Sequence, residues 1–283
     1  MKCVDLHTHS TCSDGTLTPS ELAAEAKSCG LAAAALTDHD TVNGTDEFIR
    51  ASERLGIEPV AGVEISAKYR TEMHIVGLMI DHKSGALVSR LEYLQKNRCE
   101  RNGRVLELIQ KNGMDISLAD ITGQKDGGGL ENAGRAHIAR ALVEKGYASD
   151  MQDAFDKYLK KGRPCYIERI TFPPRESIEL IKNAGGAAVL AHPYYITRDR
   201  DELERLLREL AGYGLDGFEC MYSDYPPEYR AMCMELADKT GLLKSGGSDF
   251  HAKNRPNVKL GYASDGERIP YEYLEKLRKR IGK

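Results

Sequence analysis

The sequence predicts an α/β barrel that carries an inserted helical subdomain. Short apolar segments alternate with helical segments through most of the chain, and this alternation favours a mainly parallel sheet covered by helices. Residues 84–164 break the pattern, because they show helical spacing but no convincing strand. A chain of 283 residues is long enough for a barrel, which commonly takes about 200 to 250 residues, and an insert. We therefore expect a barrel domain at 1–83 and 165–283 and a helical subdomain at 84–164.

Seven barrel strands are predicted. They centre near residues 4, 34, 59, 76, 188, 217 and 244. The segment 32–37 is an uninterrupted apolar run, which is typical of a strand that is covered on both faces. Side chains of the types that bind metals follow this strand and several of the others.

Helices are predicted between these strands and after the last one. They cover residues 19–29, 45–55, 175–183, 199–210, 227–240 and 270–281. The first begins with a capping box formed by Thr18 and Glu21, with Pro19 at the first helical position. In the insert, apolar residues at helical spacing predict further helices on both sides of a glycine-rich loop at 126–129.

Composition and charge exclude several classes of protein. A net charge of −3 argues against a protein that coats nucleic acid nonspecifically, so no stable nucleic-acid complex is expected. The seven cysteines are scattered and form no C-x-x-C pair, which fits reduced thiols in a cytosolic protein. No basic-then-apolar leader opens the sequence, and no apolar run approaches the ~18 residues that span a bilayer. We therefore expect a cytoplasmic protein with no membrane partner.

The histidine pair after the first predicted strand indicates a metal site. His7 and His9 point to the same side of an extended segment, because side chains alternate with a period of two, and both imidazoles can reach one cation. The carboxylate of Asp14 follows five residues later. Taken alone, the pair could equally be two surface histidines near a terminus.

Side chains that ligate metals occur at six predicted strand ends. They are His7, His9 and Asp14, then Asp38 and His39, Glu64, His74, His192, and finally Asp249 and His251. The C-terminal strand ends of a closed parallel barrel converge on one face, so these groups are predicted to form a multinuclear metal site. Mixed imidazole and carboxylate ligation suits Zn²⁺, Mn²⁺ or Fe²⁺.

Some of these residues have a simpler alternative interpretation. His74 is flanked by apolar residues and could be a buried histidine with a hydrogen-bond partner. Asp14 and Asp40 could be turn or cap residues. Asp38 is expected to orient a metal-binding residue through a hydrogen bond rather than to bind the metal itself.

Together, these motifs resemble those of the PHP family, which is named for polymerase and histidinol phosphatase. They are His7-x-His9, Thr37-Asp38-His39, Glu64, His74, Ala191-His192-Pro193 and Gly247-Ser248-Asp249-x-His251. The resemblance implies a distorted (β/α)7 barrel, in agreement with the seven predicted strands, and two or three divalent metal ions. By position, it implies a first ion held by His7, His9, Glu64 and Asp249, a second by Glu64, His74 and His192, and a third by Asp14, His39 and His251.

Within that family, the insert resembles a branch of small phosphoesterases. That branch dephosphorylates 3′,5′-nucleoside bisphosphates or trims short 5′-phosphorylated oligonucleotides, and the resemblance is carried by residues 132–139. The branch usually reads Gly-Arg-Pro-His-Ile-Ala; here Ala136 replaces the proline, while Arg135 and His137 are retained. The expected reaction is hydrolysis of a phosphomonoester by metal-activated hydroxide. Arg135 would clamp the phosphoryl group, and His137 would protonate the leaving oxygen, orient phosphate, or only pack on its helix face.

The expected partner is a small phosphorylated metabolite, with a nucleotide favoured. Tyr194 and Tyr222 are candidates for stacking on a base, although either could be ordinary packing at the rim. Histidinol phosphate is the alternative substrate, since its hydrolysis would use the same metal chemistry. Two other functions are less favoured. A metal-dependent amidohydrolase normally needs a lysine that bridges the metals, and this chain has Glu64 at the corresponding position. A noncatalytic, metal-stabilised binding module usually lacks some of the metal ligands, and none is missing here.

Overall fold

The computed structural model describes residues 2–122, 130 and 133–283. The chain divides into two compact units, which we call the barrel unit, Met1–Leu91 with Thr171–Lys283, and the helical unit, Glu92–Ile170. The helical unit begins inside the long helix Gly85–Lys111, and the subdomain bounds of 84–164 stay a prediction. The predicted glycine-rich loop at 126–129 lies outside the described residues.

The barrel unit is built on one seven-stranded sheet in which spatial order follows chain order. Its strands are β1 (Val4–Asp5), β2 (Ala33–Leu36), β3 (Glu58–Lys68), β4 (Glu72–Leu78), β5 (Ala187–Leu190), β6 (Gly217–Tyr222) and β7 (Leu243–Gly247). The two edges of the sheet approach each other, since the Leu6 amide donates to the Gly246 carbonyl at 3.3 Å and the Asp249 amide donates to the His7 carbonyl at 2.9 Å. The nearly closed sheet confirms the predicted distorted (β/α)7 barrel.

The fourth strand departs from the expected parallel arrangement. β4 runs antiparallel to both β3 and β5, whereas the other neighbouring strands are parallel. The cause is the short connection at 69–71, because a parallel crossover needs a dozen or more residues. Two sequence predictions change as a result: Glu64 lies inside β3, which continues to Lys68, and His74 lies near the start of β4, opposite Ser66. Neither residue is at the C-terminal end of a strand.

Helices cover the sheet in the barrel unit and make up most of the described part of the helical unit. They are α1 (Pro19–Ser28), α2 (Thr45–Leu55), α3 (Gly85–Lys111), α4 (Leu118–Thr122), α5 (Arg135–Glu144), α6 (Met151–Ala154), α7 (Pro174–Asn183), α8 (Arg200–Gly212), α9 (Pro227–Thr240) and α10 (Glu272–Arg280). The predicted capping box is present, because the Thr18 hydroxyl accepts from the Glu21 amide at 3.2 Å and the Glu21 carboxylate accepts from the Thr18 amide at 2.8 Å.

Both faces of β2 are buried, as its uninterrupted apolar sequence predicts. Ala33 and Ala35 belong to a core cluster shared with the other strands and with Leu274 of α10. Ala34 and Leu36 point the other way and belong to a cluster with α1 and α2. This two-sided packing fixes the strand from which the loop with His39 emerges. Among the described residues, no helix is long and apolar enough to cross a membrane.

Candidate metal centre

All nine predicted metal ligands lie in the barrel unit and converge on one region. Within the described chain, their ligand atoms form four overlapping groups in which all atoms lie within 4.8 Å of one another. The groups are His9, Asp14, His39 and His251; His7, His9 and Asp249; His7, Glu64 and His192; and His39, Glu64 and His74. We call these nine side chains the ligand cluster.

Glu64 stands at the centre of the ligand cluster and is fully buried. Its Oε1 atom lies 2.9 Å from Nδ1 of His74, 3.0 Å from Nε2 of His192 and 3.3 Å from Nε2 of His7. Its Oε2 atom lies 2.8 Å from Nδ1 of His39. One carboxylate from β3 therefore reaches imidazoles that come from β4 and from the loops after β1, β2 and β5.

Asp249 approaches the cluster from the turn after β7. Its Oδ1 atom lies 3.0 Å from Nε2 of His9 and 3.4 Å from Nε2 of His7. The backbone of Asp249 has φ +56°, a left-handed conformation that L side chains seldom adopt. Gly247, at the end of β7, leaves room for His7, because a Cβ atom there would lie only 2.1 Å from Cβ of His7.

The third part of the cluster joins Asp14 to His251 and His39. Oδ1 of Asp14 lies 3.0 Å from Nε2 of His251, and Oδ2 lies 3.5 Å from Nε2 of His39. The ring of His9 stacks on that of His251, with centroids 4.1 Å apart and planes at 20°. His9 therefore borders both the first and the third implied metal sites, whereas the resemblance alone assigned it only to the first.

The ligand cluster holds its central carboxylate in the ionised form, and the carboxylates in turn raise the pKa of histidines between them. Burial alone would lower the pKa of His9, but its interactions with the carboxylates of Asp249 and Glu64 outweigh burial and raise the pKa to about 10. Burial opposes the charged form of His74 in the same way, and Glu64 raises its pKa to about 10. Burial would raise the pKa of Glu64, yet the histidines led by His74 and His39 hold it well below its usual range. The carboxylates thus remain ionised and attract positive charge.

Two buried atoms show that the residues fit divalent ions. Nδ1 of His39 and Oε2 of Glu64 are buried and make no hydrogen bond of acceptable geometry within the described chain, although they lie 2.8 Å apart. A buried polar atom without a partner costs about 1 to 3 kcal/mol, a cost that coordination of a shared cation would remove. The imidazole and carboxylate donors suit Mn²⁺, Zn²⁺ or Fe²⁺.

Comparison with known proteins shows the family of this chain. The family model for the PHP domain matches residues 5–169. The 3′,5′-nucleoside bisphosphate phosphatase of Chromobacterium violaceum is 35% identical over 287 residues, which cover 99% of this chain and 98% of that protein. The 5′-3′ exoribonuclease of Haemophilus influenzae is 34% identical, covering 88% of this chain and 90% of that protein. The chain belongs to the PHP family.

A solved structure agrees with this membership. A protein from Bifidobacterium adolescentis, described as a candidate metal-dependent phosphoesterase, superposes with a TM-score of 0.84 at 32% identity and covers 100% of this chain and 99% of its own. This PHP protein is accordingly a metal-dependent phosphoesterase and a hydrolase.

Glu219 of this PHP protein was missed by sequence reasoning, although it holds two of the cluster residues. The buried carboxylate accepts from Nδ1–H of His7 at 2.8 Å and from the backbone amide of His192 at 2.6 Å. In the neutral ring of His7, the first bond keeps the proton on Nδ1, so that Nε2 presents its lone pair to the cluster. In the sequence, the one indication of this role is that Glu219 is a charged residue in a strand, β6, that is otherwise apolar.

Two further carboxylates orient the loops that carry the ligands. Asp38 accepts from the amide of Ser10 at 2.7 Å, and from the hydroxyls of Ser10 and Ser13 at 2.6 Å each. This supports its expected role as an orienting partner. Asp5 accepts from the amide of Ser248 at 3.0 Å and from that of Gly261 at 2.6 Å, and burial raises its pKa to about 6.

A cavity of about 350 Å³ opens beside the ligand cluster. Besides cluster residues, its lining includes Tyr195, Tyr222, Asp224 and Arg255. Arg255 donates to Asp224 at 2.6 Å and also to the carboxylate of Asp249, while the Tyr222 hydroxyl donates to Asp249 at 2.7 Å. Arg255 and Tyr195 were not predicted, because neither belongs to a recognisable motif.

The four predicted substrate residues fall in different places. Tyr222 lines the cavity, whereas Tyr194 does not and packs its ring against Tyr229 at 4.9 Å. Arg135 begins α5 in the helical unit, and Nδ1 of His137 in the same helical turn accepts from the backbone amide of Gly134 at 3.0 Å. The roles of all four in substrate binding stay predictions.

Proposed function

We propose that this PHP enzyme hydrolyses a phosphomonoester of a nucleotide, namely the 3′-phosphate of a 3′,5′-nucleoside bisphosphate. The observation that carries the proposal is the cavity of about 350 Å³ beside the ligand cluster, which offers space for a small phosphorylated metabolite. Similarity over nearly the whole chain to a relative named as a 3′,5′-nucleoside bisphosphate phosphatase supports this choice of substrate.

In this proposal, two or three divalent ions (Mn²⁺, Zn²⁺ or Fe²⁺) occupy the ligand cluster. Their proposed ligands are the nine residues His7, His9, Asp14, His39, Glu64, His74, His192, Asp249 and His251. Ions at such a site supply Lewis-acid polarisation of the phosphoryl oxygens and a lowered pKa for the attacking water. The remaining tasks, which are orienting the phosphate and delivering a proton to the leaving oxygen, fall to other side chains.

Arg135 and His137 are the proposed residues for those tasks. A guanidinium can make paired hydrogen bonds to phosphate oxygens, and it remains charged at every pH of interest. Because Nδ1 of His137 accepts a hydrogen bond, its neutral ring carries the proton on Nε2. His137 would therefore donate from Nε2, either to the leaving oxygen or to a phosphate oxygen.

A second candidate substrate is a short oligonucleotide with a 5′-phosphate. It is favoured by the similarity to a relative named as a 5′-3′ exoribonuclease. Histidinol phosphate remains the alternative from outside the nucleotide class, since the same cluster could hydrolyse it.

The test measures phosphate released from the phosphomonoesters, and 5′-mononucleotides released from RNA, by the manganese-loaded protein. Three substrates are compared at equal concentration: 3′,5′-adenosine bisphosphate, histidinol phosphate and a short 5′-phosphorylated RNA. We expect the bisphosphate to give the highest kcat/KM. Activity on histidinol phosphate alone would overturn the proposed substrate class, and release of 5′-mononucleotides from the RNA, with no phosphate from the bisphosphate, would favour the second candidate.

A further inference from the structure

Tyr195 is an exposed aromatic residue on the lining of the cavity. It ends the short 3-10 turn Pro193–Tyr195, which directly follows the cluster residue His192. Half of its surface is exposed, a large fraction for an aromatic residue beside a catalytic cavity. An exposed aromatic side chain on the wall of such a cavity is available for contact with a bound ligand.

The aromatic rings around Tyr195 are steeply inclined to it and do not stack on it, and half of its surface stays exposed. Its ring neighbours meet it edge-on: His192 at 5.6 Å and 62°, Tyr222 at 6.1 Å and 88°, and Tyr194 at 6.0 Å and 64°. Among the described residues, no aromatic ring lies parallel to it. Tyr222 cannot offer a face in the same way, since it is almost fully buried.

Asp224 holds the Tyr195 ring in a defined position. Its carboxylate accepts from the Tyr195 hydroxyl and, at 2.6 Å, from the guanidinium of Arg255. Arg255 is fixed in turn by Asp249 of the ligand cluster. A chain of hydrogen bonds therefore connects the aromatic ring to the cluster, so that the distance between ring and reacting phosphate is set by the fold.

We infer that Tyr195 stacks on the base of the nucleotide substrate and thereby determines specificity for base-bearing phosphates, with Asp224 as a positioning residue. The inference rests on the proposed function. Stacking of a base on an aromatic side chain is sequence-tolerant, because every base has a π-face, and it is lost when the ring is removed. The enzyme would thus recognise a nucleotide without selecting one particular base.

The test compares 3′,5′-adenosine bisphosphate with the same sugar bisphosphate lacking the base. The measured quantity is the ratio of kcat/KM between the two substrates. For Tyr195→Ala, we expect this ratio to fall by about 5- to 150-fold, through a higher KM for the base-bearing substrate. Tyr195→Phe keeps the ring but lacks the hydroxyl that Asp224 holds, so its ratio is expected to lie between those of wild type and Tyr195→Ala.

Tyr213→Ala is the matched control. Tyr213 also pairs with a carboxylate, since its hydroxyl donates to Glu209 at 2.9 Å, but it lies at the end of α8 and does not line the cavity. This variant should leave the ratio unchanged. Circular dichroism melting checks that each variant is folded.

The outcomes separate this inference from the proposed function. An unchanged ratio in Tyr195→Ala, or an equal loss on both substrates, would overturn the stacking role while leaving the proposed reaction intact. Failure of the wild-type enzyme to release phosphate from either bisphosphate would overturn both.

Discussion

Replacing Glu219 by glutamine tests how the fold orients the ligand cluster. The carboxylate accepts two hydrogen bonds, from His7 at 2.8 Å and from the backbone amide of His192 at 2.6 Å. A glutamine of the same shape has one acceptor oxygen and one NH₂ donor, so one of the two N–H groups would face another donor. Losing a hydrogen bond to a charged acceptor costs about 1.5 to 3 kcal/mol, which corresponds to about 10- to 150-fold in an equilibrium constant.

We therefore expect Glu219→Gln to bind Mn²⁺ about 10- to 100-fold more weakly than wild type. The affinity is measured by competition with a chelating dye, so the readout does not depend on turnover. Glu228→Gln, at an exposed position in the first turn of α9, is the control and should not change the affinity. A folded Glu219→Gln protein with an affinity within twofold of wild type would refute the orienting role.

Three other substitutions separate phosphate binding, metal binding and packing. Arg135→Ala should retain its metal, as measured by elemental analysis. Its kcat/KM should fall by about 10- to 100-fold, because the variant lacks the charge-assisted hydrogen bonds to phosphate. Unchanged turnover would exclude a role for Arg135 as a phosphate clamp. Asp249→Ala should lose metal and activity together, and a fully metallated, active variant would contradict the ligand map. Gly247→Ala should lower the free energy of unfolding in urea by about 1 to 3 kcal/mol, since the added Cβ would lie 2.1 Å from Cβ of His7; wild-type stability would show that the turn can relax.

Features that depend on neighbouring residues were predicted from the sequence. Features that depend on how the chain connects two strands were not. Thr18, Pro19 and Glu21 specify the start of α1 through contacts within one helical turn, so their pattern was sufficient. The antiparallel direction of β4 was not predicted, because strands and helices were expected to alternate throughout the barrel. The segment between β3 and β4 contains no helix. The length of the connection at 69–71 indicates the antiparallel arrangement, since three residues are too few for the crossover between two parallel strands.

The same distinction applies to the site. His7 and His9 were recognisable because their spacing places both rings on one side of an extended segment. Glu219 and Arg255 act only through partners that are distant in sequence, and a single charged residue has no pattern that reveals such partners. Tyr194 was chosen over Tyr195 on sequence, yet only the latter lines the cavity, because the turn after His192 directs adjacent side chains differently.

The bond between Asp5 and Ser248 has a consequence for biosynthesis. These residues are 243 positions apart, and their contact joins the first strand to the segment after the last. At about 5 to 20 residues per second, a ribosome needs roughly 12 to 50 s to make the intervening chain. His7 and His9 therefore emerge long before Asp249 and His251 exist. The complete cluster cannot form before residues 249 and 251 have been made, so a nascent chain truncated before residue 249 lacks it.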